Sequence, residues 1–373
     1  MFYVIGIAVT LFLAAILITK KGKTDADKIL AVWLVVIGMH LASFYLFITG
    51  KYASHPYLLG LELPFPLLHG PLLYLYTGAL TNQSPPRVSK LVHFIPFLLF
   101  YVIFFQFISS SPEHKIHVYK NNGIGYETLK GVLLAVIIVS GVVYVALSLI
   151  LLSRHRNVIQ NEFSYAERVN LRWLRYLIYG IAAIWLVVIV GDDQATYSAV
   201  VLFVMMLGYF GIKQVGIFTQ QLPVRSPNEV VTDFGGPPST GSDQKRKYQK
   251  SSLNPEAAKS IHVALSQLML EKKPYTNPDL TLDELAQTLN VHRNNLSQVI
   301  NTYEQKSFYD YINSKRIEEF KRIVVIPENQ RFSLLGLANN SGFNSKTSFH
   351  RNFKNVTGLS PMEYLNQVNV RLE

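Results

Sequence analysis

Seven long apolar runs fill the first 218 residues of this 373-residue chain, and they limit its possible folds more than any other feature. Each run is close to the roughly 20 residues that a helix needs to cross a lipid bilayer. Apolar residues make up 49% of the chain and charged residues only 16%, a balance that favours a membrane protein. We therefore predict an all-α fold that begins with a seven-transmembrane-helix bundle. The runs cover residues 1–19, 29–49, 57–80, 91–110, 129–152, 174–190 and 196–218.

The basic residues between the runs predict the orientation of this bundle. If the N-terminus lies outside, eleven Lys and Arg residues fall in the inner loops and four in the outer loops. Because positive charge is concentrated on the cytoplasmic side of membrane proteins, this orientation is favoured. We expect a multi-pass protein of the inner (cytoplasmic) membrane with its C-terminus in the cytoplasm. The inner set is Lys20, Lys21, Lys23, Lys28, Arg87, Lys90, Arg154, Arg156, Arg168, Arg172 and Arg175, and the outer set is Lys51, Lys115, Lys120 and Lys130.

The third run contains two ionisable residues, Glu62 and His69, among the prolines Pro64, Pro66 and Pro71. Ionisable groups inside a membrane are costly and often mark a ligand site or a transport pathway. We therefore single out Glu62 and His69 as a candidate ligand or signal site. The alternative is that both side chains only form hydrogen bonds between helices and hold the bundle together.

The composition changes sharply after residue 218. Residues 219–252 are rich in proline, glycine and serine, which predicts a flexible cytoplasmic linker that would span ~30 Å on average. Residues 245–373 contain 18 Lys and Arg and 12 Asp and Glu, so their net charge is +6, which suits contact with phosphates. The chain has no cysteine, which excludes disulfides and thiolate metal sites. No cofactor and no metal site is predicted.

Residues 281–300 fit a helix-turn-helix pattern. Thr281 and Glu284 have the spacing of a capping box at the start of a short helix. Asn290 suits the left-handed backbone of a tight turn. The second helix would bury Leu296 and Val299 and leave a polar face outside. That face consists of Arg293, Asn294, Ser297 and Gln298.

A second helix-turn-helix pattern covers residues 333–354. Gly342 supplies the turn, and Phe349 and Phe353 are four residues apart on the expected core side of the next helix. Gly358 is placed to end that helix. The outer face carries Lys346, Thr347, His350 and Arg351.

Residues 259–367 resemble the DNA-binding domain of the AraC/XylS family. The resemblance rests on dipeptides at the family's spacing, although Asn290 and Gln305 stand where glycine is common. It implies seven helices and two recognition helices in successive major grooves of double-stranded DNA. It also implies base contacts from Asn294, Ser297, Gln298, Lys346, Thr347 and Arg351. The dipeptides are Ser307-Phe308, Tyr311-Ile312, Arg316-Ile317, Leu337-Ala338, Gly342-Phe343, Phe353-Lys354 and Ser360-Pro361.

Residues 70–76 extend this resemblance to the seven-helix membrane-bound AraC-type regulators that are common in Bacteroidota. We therefore expect a transmembrane sensor or anchor domain at 1–218, a linker at 219–252 and a DNA-binding domain at 253–373. The expected partners are double-stranded DNA, the lipid bilayer, a second copy of the chain on DNA and an unknown small-molecule or membrane signal. The resulting hypothesis is a membrane-tethered transcription regulator, not an enzyme.

Two alternatives come from other classes of protein. The chain could be a receptor or transporter-like protein whose C-terminal domain is an adaptor that does not bind DNA. It could instead be an intramembrane enzyme that uses Glu62 and His69 as acid and base, but no catalytic motif such as HExxH or GxSxG supports this.

Overall fold

The computed structural model describes residues 1–164, 171–213, 253–370 and 372. The predicted linker, at 219–252, lies outside the described residues. The chain divides into two compact units. The first unit comprises Met1–Ser153 and Leu171–Gly235, and the second comprises Arg154–Asn170 and Gly236–Glu373. In the described parts of both units the regular secondary structure is helical, apart from an isolated antiparallel bridge between Phe163 and Thr281.

The helices of the first unit follow the apolar runs, and five of them are long and apolar enough to cross a membrane: α1, α2, α8, α9 and α10. The last nine residues of α8, from Arg154 to Glu162, belong to the second unit. The bounds are α1 Phe2–Thr19, α2 Asp25–Ile48, α3 Pro66–Leu80, α4 Arg87–Val92, α5 Ile95–Ile103, α6 Phe105–Ile108, α7 Pro112–Lys120, α8 Glu127–Glu162, α9 Arg172–Val190 and α10 Asp193–Lys213.

The third and fourth apolar runs do not form single long helices. In the third run, residues 57–65 form the end of a short 3-10 helix followed by turns, and α3 begins only at Pro66 with a length of 15 residues. Proline has no N–H to donate and its fixed φ suits the first turn of a helix, so it favours a helix start at this point. The fourth run is divided among α4, α5 and α6, with Pro96 in the first turn of α5. The structure therefore supports five of the seven predicted spans as continuous helices.

The helices of the first unit pack closely where small residues lie between them. A Cβ atom added to Gly38 of α2 would lie 2.9 Å from Thr10 Oγ1 of α1. One added to Gly141 of α8 would lie 2.3 Å from the Trp185 ring of α9. Close approach at small residues is typical of helix packing in membranes. The core of this unit includes fully buried Leu34, Leu41, Leu73, Leu174, Ile178, Val201 and Val204.

The second unit contains seven α-helices between residues 253 and 370, as the family resemblance implied. A π-helical turn at Ile300–Glu304 follows the third of them. The bounds are α11 Pro255–Glu271, α12 Leu282–Thr288, α13 Arg293–Val299, α14 Phe308–Val324, α15 Leu334–Asn340, α16 Lys346–Thr357 and α17 Pro361–Gln367.

Helix α14 joins two hydrophobic cores. Its N-terminal half packs with α11, α12 and α13 around Leu265, Leu285 and Leu296. Its C-terminal half packs with α15, α16 and α17 around Phe349 and Phe353. Each helix-turn-helix therefore has its own core, and α14 holds the two together.

The turns adopt the backbone conformations that the sequence predicts. Thr281 and Glu284 form the expected capping box, with a distance of 3.2 Å from Glu284 N to Thr281 Oγ1. Asn290 and Gln305, which replace common glycines of the family, both have a left-handed φ of 53°. Gly342 has a φ of 100°, and a Cβ atom there would lie 2.2 Å from the Tyr275 carbonyl oxygen. A side chain at this position is therefore excluded both by the backbone and by space.

Candidate nucleic-acid interface

Helix α13 is the recognition helix of the first helix-turn-helix. His292 caps it through a 3.3 Å hydrogen bond from Asn294 N to the imidazole Nδ1. Leu296 and Val299 are fully buried, so the predicted polar residues lie on the other faces of the helix. Asn294 is exposed, whereas Arg293, Ser297 and Gln298 are partly buried.

Arg293 stands on the first turn of α13 between two carboxylates. Its Nη1 lies 3.2 Å from Asp283 Oδ2, and its Nη2 lies 2.5 Å from Glu162 Oε1. Glu162 is the last residue of α8 and is part of the same unit as α13. The sequence analysis did not predict this ion pair, because Glu162 precedes Arg293 by 131 residues and lies between two apolar runs.

Helix α16 is the recognition helix of the second helix-turn-helix. Ser345 caps it, since Ser348 N donates a 3.1 Å hydrogen bond to Ser345 Oγ. Phe349 and Phe353 are fully buried, as their spacing predicted. Lys346 and Thr347 are exposed on the first turn. In helix-turn-helix proteins, the N-terminal residues of this helix are those that contact base edges.

The two remaining predicted residues of α16 are less accessible. Arg351 is partly buried, and its Nη2 donates a 2.8 Å hydrogen bond to the hydroxyl of Tyr309 on α14. The same hydroxyl accepts a 2.8 Å hydrogen bond from Asn352 Nδ2. His350 is partly buried as well, and within the described part of the chain its Nε2 has no hydrogen-bond partner.

A buried arginine, Arg316, joins the middle of α14 to the segment that precedes α12. Arg316 Nε donates to the Tyr275 carbonyl at 2.7 Å, and Arg316 Nη2 donates to the Asn277 carbonyl at 2.7 Å. Burial of the guanidinium lowers the pKa of Arg316 to about 10, so it remains charged at neutral pH. Backbone carbonyls thus solvate this cation inside the protein.

Glu319, one turn further along α14, forms a second polar cluster. Its carboxylate accepts hydrogen bonds from Arg322 at 2.7 Å and from Lys273 at 3.0 Å. The hydrogen bond from Arg322, followed by that from Lys273, lowers the pKa of Glu319 to about 2. This cluster ties α14 to the segment before α12.

In the first unit, Glu62 and His69 lie in two separate hydrogen-bond networks. The Glu62 carboxylate accepts hydrogen bonds from the Tyr119 hydroxyl and, at 3.1 Å, from Gly60 N. Both partners of Glu62 lie in turns or short helices, Tyr119 in α7. Among the described residues no contact joins Glu62 to His69. The structure therefore does not bring the two predicted residues together as one pair.

His69 belongs to a network that joins three helices. Its Nδ1 accepts a 3.1 Å hydrogen bond from Trp33 Nε1 of α2, and its Nε2 lies 3.3 Å from His40 Nδ1 of the same helix. The Nε2 of His40 lies 2.7 Å from the Tyr197 hydroxyl of α10. Each described link pairs polar groups that would otherwise be buried without a partner.

Comparison with known protein families finds a match within the second unit. A family model described as a helix-turn-helix domain, of AraC type, matches residues 285–367. The match runs from α12 through α17 and includes both recognition helices. Searches of curated proteins and of solved structures find no match. The family match supports a DNA-binding transcription regulator of AraC type, a class that is typically not enzymatic.

Proposed function

We propose that this protein is a membrane-tethered transcription regulator whose two recognition helices read double-stranded DNA under the control of a signal received by the first unit. One observation carries the proposal: a single chain contains both an AraC-type helix-turn-helix domain and five helices apolar enough to cross a membrane. The family match concerns the DNA-binding unit, and the membrane role rests on the composition and surface of the first unit.

The surface of the first unit supports insertion into a membrane. Large apolar side chains point outward on four of its long helices, with exposed fractions of 66% for Phe12, 61% for Val139, 64% for Leu186 and 60% for Leu202. Extended apolar surface of this kind is rare on soluble monomers, and lipid tails would cover it. We propose seven crossings, with α3 and the broken segment α4–α6 completing the five long helices. The distribution of Lys and Arg favours the N-terminus outside and the DNA-binding unit in the cytoplasm.

The DNA-binding role is assigned to the outward polar residues of α13 and α16. Asn294, Lys346 and Thr347 are exposed near the helix starts, where base edges would lie. Arg351 donates to Tyr309, and its guanidinium has the paired N–H donors that match guanine O6 and N7. The remaining proposed contacts are Arg293, Ser297, Gln298 and His350. A homodimer would place paired domains on repeated half-sites.

Crosslinking and sequencing of DNA bound to the full-length protein in cells tests this function. We expect sharp peaks for the natural protein and their loss in Lys346→Ala and in Arg351→Ala, because each removes a proposed base contact worth ~1–3 kcal/mol. Lys259→Ala is the matched control, since it removes an exposed positive charge of α11 that is not among the proposed DNA contacts. Absence of peaks for folded, membrane-inserted natural protein would favour the adaptor alternative.

A further inference from the structure

A short segment at the end of α8 lies against the first helix-turn-helix. It consists of Glu162, Phe163 and Ser164, and we call it the docked segment. All three residues belong to the second unit, although 116 residues separate Ser164 from its partner Leu280. Phe163 and Ser164 are 8% and 1% exposed, so the segment is part of the folded core of this unit.

The docked segment pairs with the chain just before α12. Phe163 and Thr281 form an antiparallel bridge, and Ser164 N donates a 3.3 Å hydrogen bond to the Leu280 carbonyl. The Ser164 hydroxyl donates to the same carbonyl at 2.7 Å. Because Thr281 is the N-cap of α12, the docked segment is attached at the point where the first helix-turn-helix begins.

The docked segment also supplies acceptors to buried donors of α14. The Ser164 carbonyl accepts hydrogen bonds from Asn313 Nδ2 at 3.0 Å and from Arg316 Nη1 at 3.2 Å. The Ser164 hydroxyl oxygen accepts one from Arg316 Nη2 at 3.0 Å. Asn313 and Arg316 are 1% and 2% exposed, and a buried amide or guanidinium needs such partners. This serine therefore satisfies donors of two buried side chains of α14.

Glu162 reaches the recognition helix itself. Its carboxylate is 2.5 Å from Arg293, whose other nitrogen contacts Asp283. A carboxylate and a DNA phosphate compete for the same guanidinium, because both are anions that accept paired N–H donors. An Arg293 side chain held by Glu162 cannot make its full contact with DNA.

The docked segment is one helical turn from the anchor of the second recognition helix. Asn313 Nδ2 donates to the Ser164 carbonyl and, at 2.8 Å, to the Tyr309 carbonyl. The Tyr309 side chain in turn holds Arg351 and Asn352 of α16. Both recognition helices are thus linked to the docked segment through short chains of polar contacts.

We propose that the DNA-binding unit carries a docking surface for the docked segment, and that docking inhibits DNA binding by placing Glu162 on Arg293. The inference rests on the proposed function. It adds a way in which the first unit could control DNA binding. The helix α8 is continuous from Glu127 to Glu162, and its apolar part is a proposed membrane span. A signal that moves the C-terminal end of α8 would withdraw Glu162 and make Arg293 available to a phosphate.

Crosslinking of the docked segment tests whether docking is inhibitory. The natural chain has no cysteine, so Phe163→Cys with Thr281→Cys introduces a single thiol pair. Residues opposed in an antiparallel bridge have Cβ atoms about 4.5–5.5 Å apart, close to disulfide geometry. We expect the oxidised full-length protein in membrane vesicles to bind a fluorescent random-sequence DNA duplex at least about threefold more weakly than the reduced protein. The two single-cysteine variants, which cannot form this bridge, control for the oxidant.

A charge variant tests the role of Glu162 directly. Glu162→Gln should bind the duplex about two- to fivefold more tightly, since partly exposed ion pairs of this kind are weak. One additional phosphate contact should also steepen the dependence of log affinity on log salt by about 0.9. Asp283→Asn is the matched control, because it removes the other carboxylate from Arg293 but leaves the docked segment in place; its salt dependence should stay unchanged.

The outcomes separate this inference from the proposed function. Failure of the cysteine pair to crosslink, equal binding by the oxidised and reduced forms, or equal effects of Glu162→Gln and Asp283→Asn would overturn the inhibitory docking while leaving a DNA-binding protein. Absence of duplex binding in every form, the natural protein included, would overturn both.

Discussion

The hydroxyl of Tyr309 lies 2.8 Å from the Arg351 guanidinium and joins the helix between the two motifs to the second recognition helix. Tyr309 is 5% exposed, so its hydroxyl is sheltered from water. Asn352 donates to the same oxygen and also to the Ser348 carbonyl, so the Tyr309 hydroxyl contacts two side chains of α16. Tyr309 is therefore a residue that positions the recognition helix rather than one that reads DNA.

Tyr309→Phe should lower the free energy of unfolding of the DNA-binding unit by about 1 kcal/mol, the usual contribution of one buried hydrogen bond. It should weaken specific DNA binding less than Arg351→Ala does, because the guanidinium remains but is less well oriented. Thermal unfolding and DNA titration of the full-length protein in detergent measure the two effects. Tyr303→Phe is the control, since Tyr303 is 42% exposed; equal effects of the two substitutions would contradict the positioning role.

Gly342→Ala should destabilise the second helix-turn-helix by about 2 kcal/mol or more. The alanine would have to adopt a φ of 100° and its Cβ would meet the Tyr275 carbonyl at 2.2 Å. Gly336→Ala is the matched control, because Gly336 lies inside α15 and its added Cβ has as nearest neighbour the Ser333 hydroxyl at 3.3 Å. There alanine favours the helix by up to ~1 kcal/mol. Similar melting temperatures for both variants would show that the tight turn is not needed.

Acid should weaken the DNA-binding unit through Glu319. Its pKa falls from about 4.5 to about 2 on folding, so its ionised form adds stability above pH ~4.5 that is lost as the pH falls towards about 2. Because Arg322 is 57% exposed, solvent screens part of the interaction, and we expect a contribution of about 1–2 kcal/mol. Glu319→Gln should lower stability at pH 7 and flatten the loss of stability between pH 5 and pH 2, as measured by urea unfolding. Glu328→Gln, at an exposed turn, should leave the pH profile unchanged.

Because the chain has no cysteine, single introduced cysteines can test the proposed orientation in the membrane. Lys51→Cys should react with a membrane-impermeant maleimide in intact cells, because the N-out arrangement places residue 51 outside. Lys23→Cys should react only after the membrane is opened. Both lysines are exposed in the connections that follow α1 and α2, so accessibility within the protein is matched. Labelling of residue 23 but not residue 51 in intact cells would reverse the topology and remove the DNA-binding unit from the cytoplasm.

If Glu62 belongs to the signal site, its substitution should remove the response to the signal without removing DNA binding. Glu62→Gln should abolish the change in promoter activity that follows a change in growth conditions, while DNA binding in cells persists. The amide keeps the size of the side chain but replaces one of the two oxygens that accept from Tyr119 and Gly60 with an NH₂ group, which can only donate. Tyr119→Phe, which removes the partner hydroxyl, should have a similar effect. A normal response from the Glu62→Gln reporter strain would leave Glu62 with a structural role only.

Local signals explain why the DNA-binding unit was predictable. Each of these signals involves residues only a few positions apart in sequence: the cap at Thr281, the turns at Asn290 and Gly342, and the pair Phe349 and Phe353. The length of the helix in the third apolar run was overestimated, because hydropathy counts apolar residues without regard to proline. The helix α3 starts only at Pro66.

The contacts of Arg293 and Arg351 could not be predicted from sequence in the same way. Their partners Glu162 and Tyr309 are 131 and 42 positions away, and only the folded unit brings them together. No local pattern distinguishes Glu162 from any other charged residue that follows an apolar run. Asn294, Lys346 and Thr347 of the predicted polar faces are exposed, and their contact with DNA stays a prediction; the sequence did not reveal which of the other residues already have partners inside the protein.

The network around His69 has a direction. An indole N–H can only donate, so the hydrogen bond from Trp33 requires His69 Nδ1 to be the acceptor and leaves its proton on Nε2. The Nε2–H of His69 must then donate a hydrogen bond to His40 Nδ1. The Nε2–H of His40 must in turn donate to the Tyr197 hydroxyl oxygen. Both imidazoles are thereby confined to one tautomer, and the order of donors cannot be reversed from the Trp33 end. A molecule inserted between any two of these groups would have to accept a hydrogen bond from one of them and donate a hydrogen bond to the other. A molecule with only donors or only acceptors would leave one of the two groups without a partner.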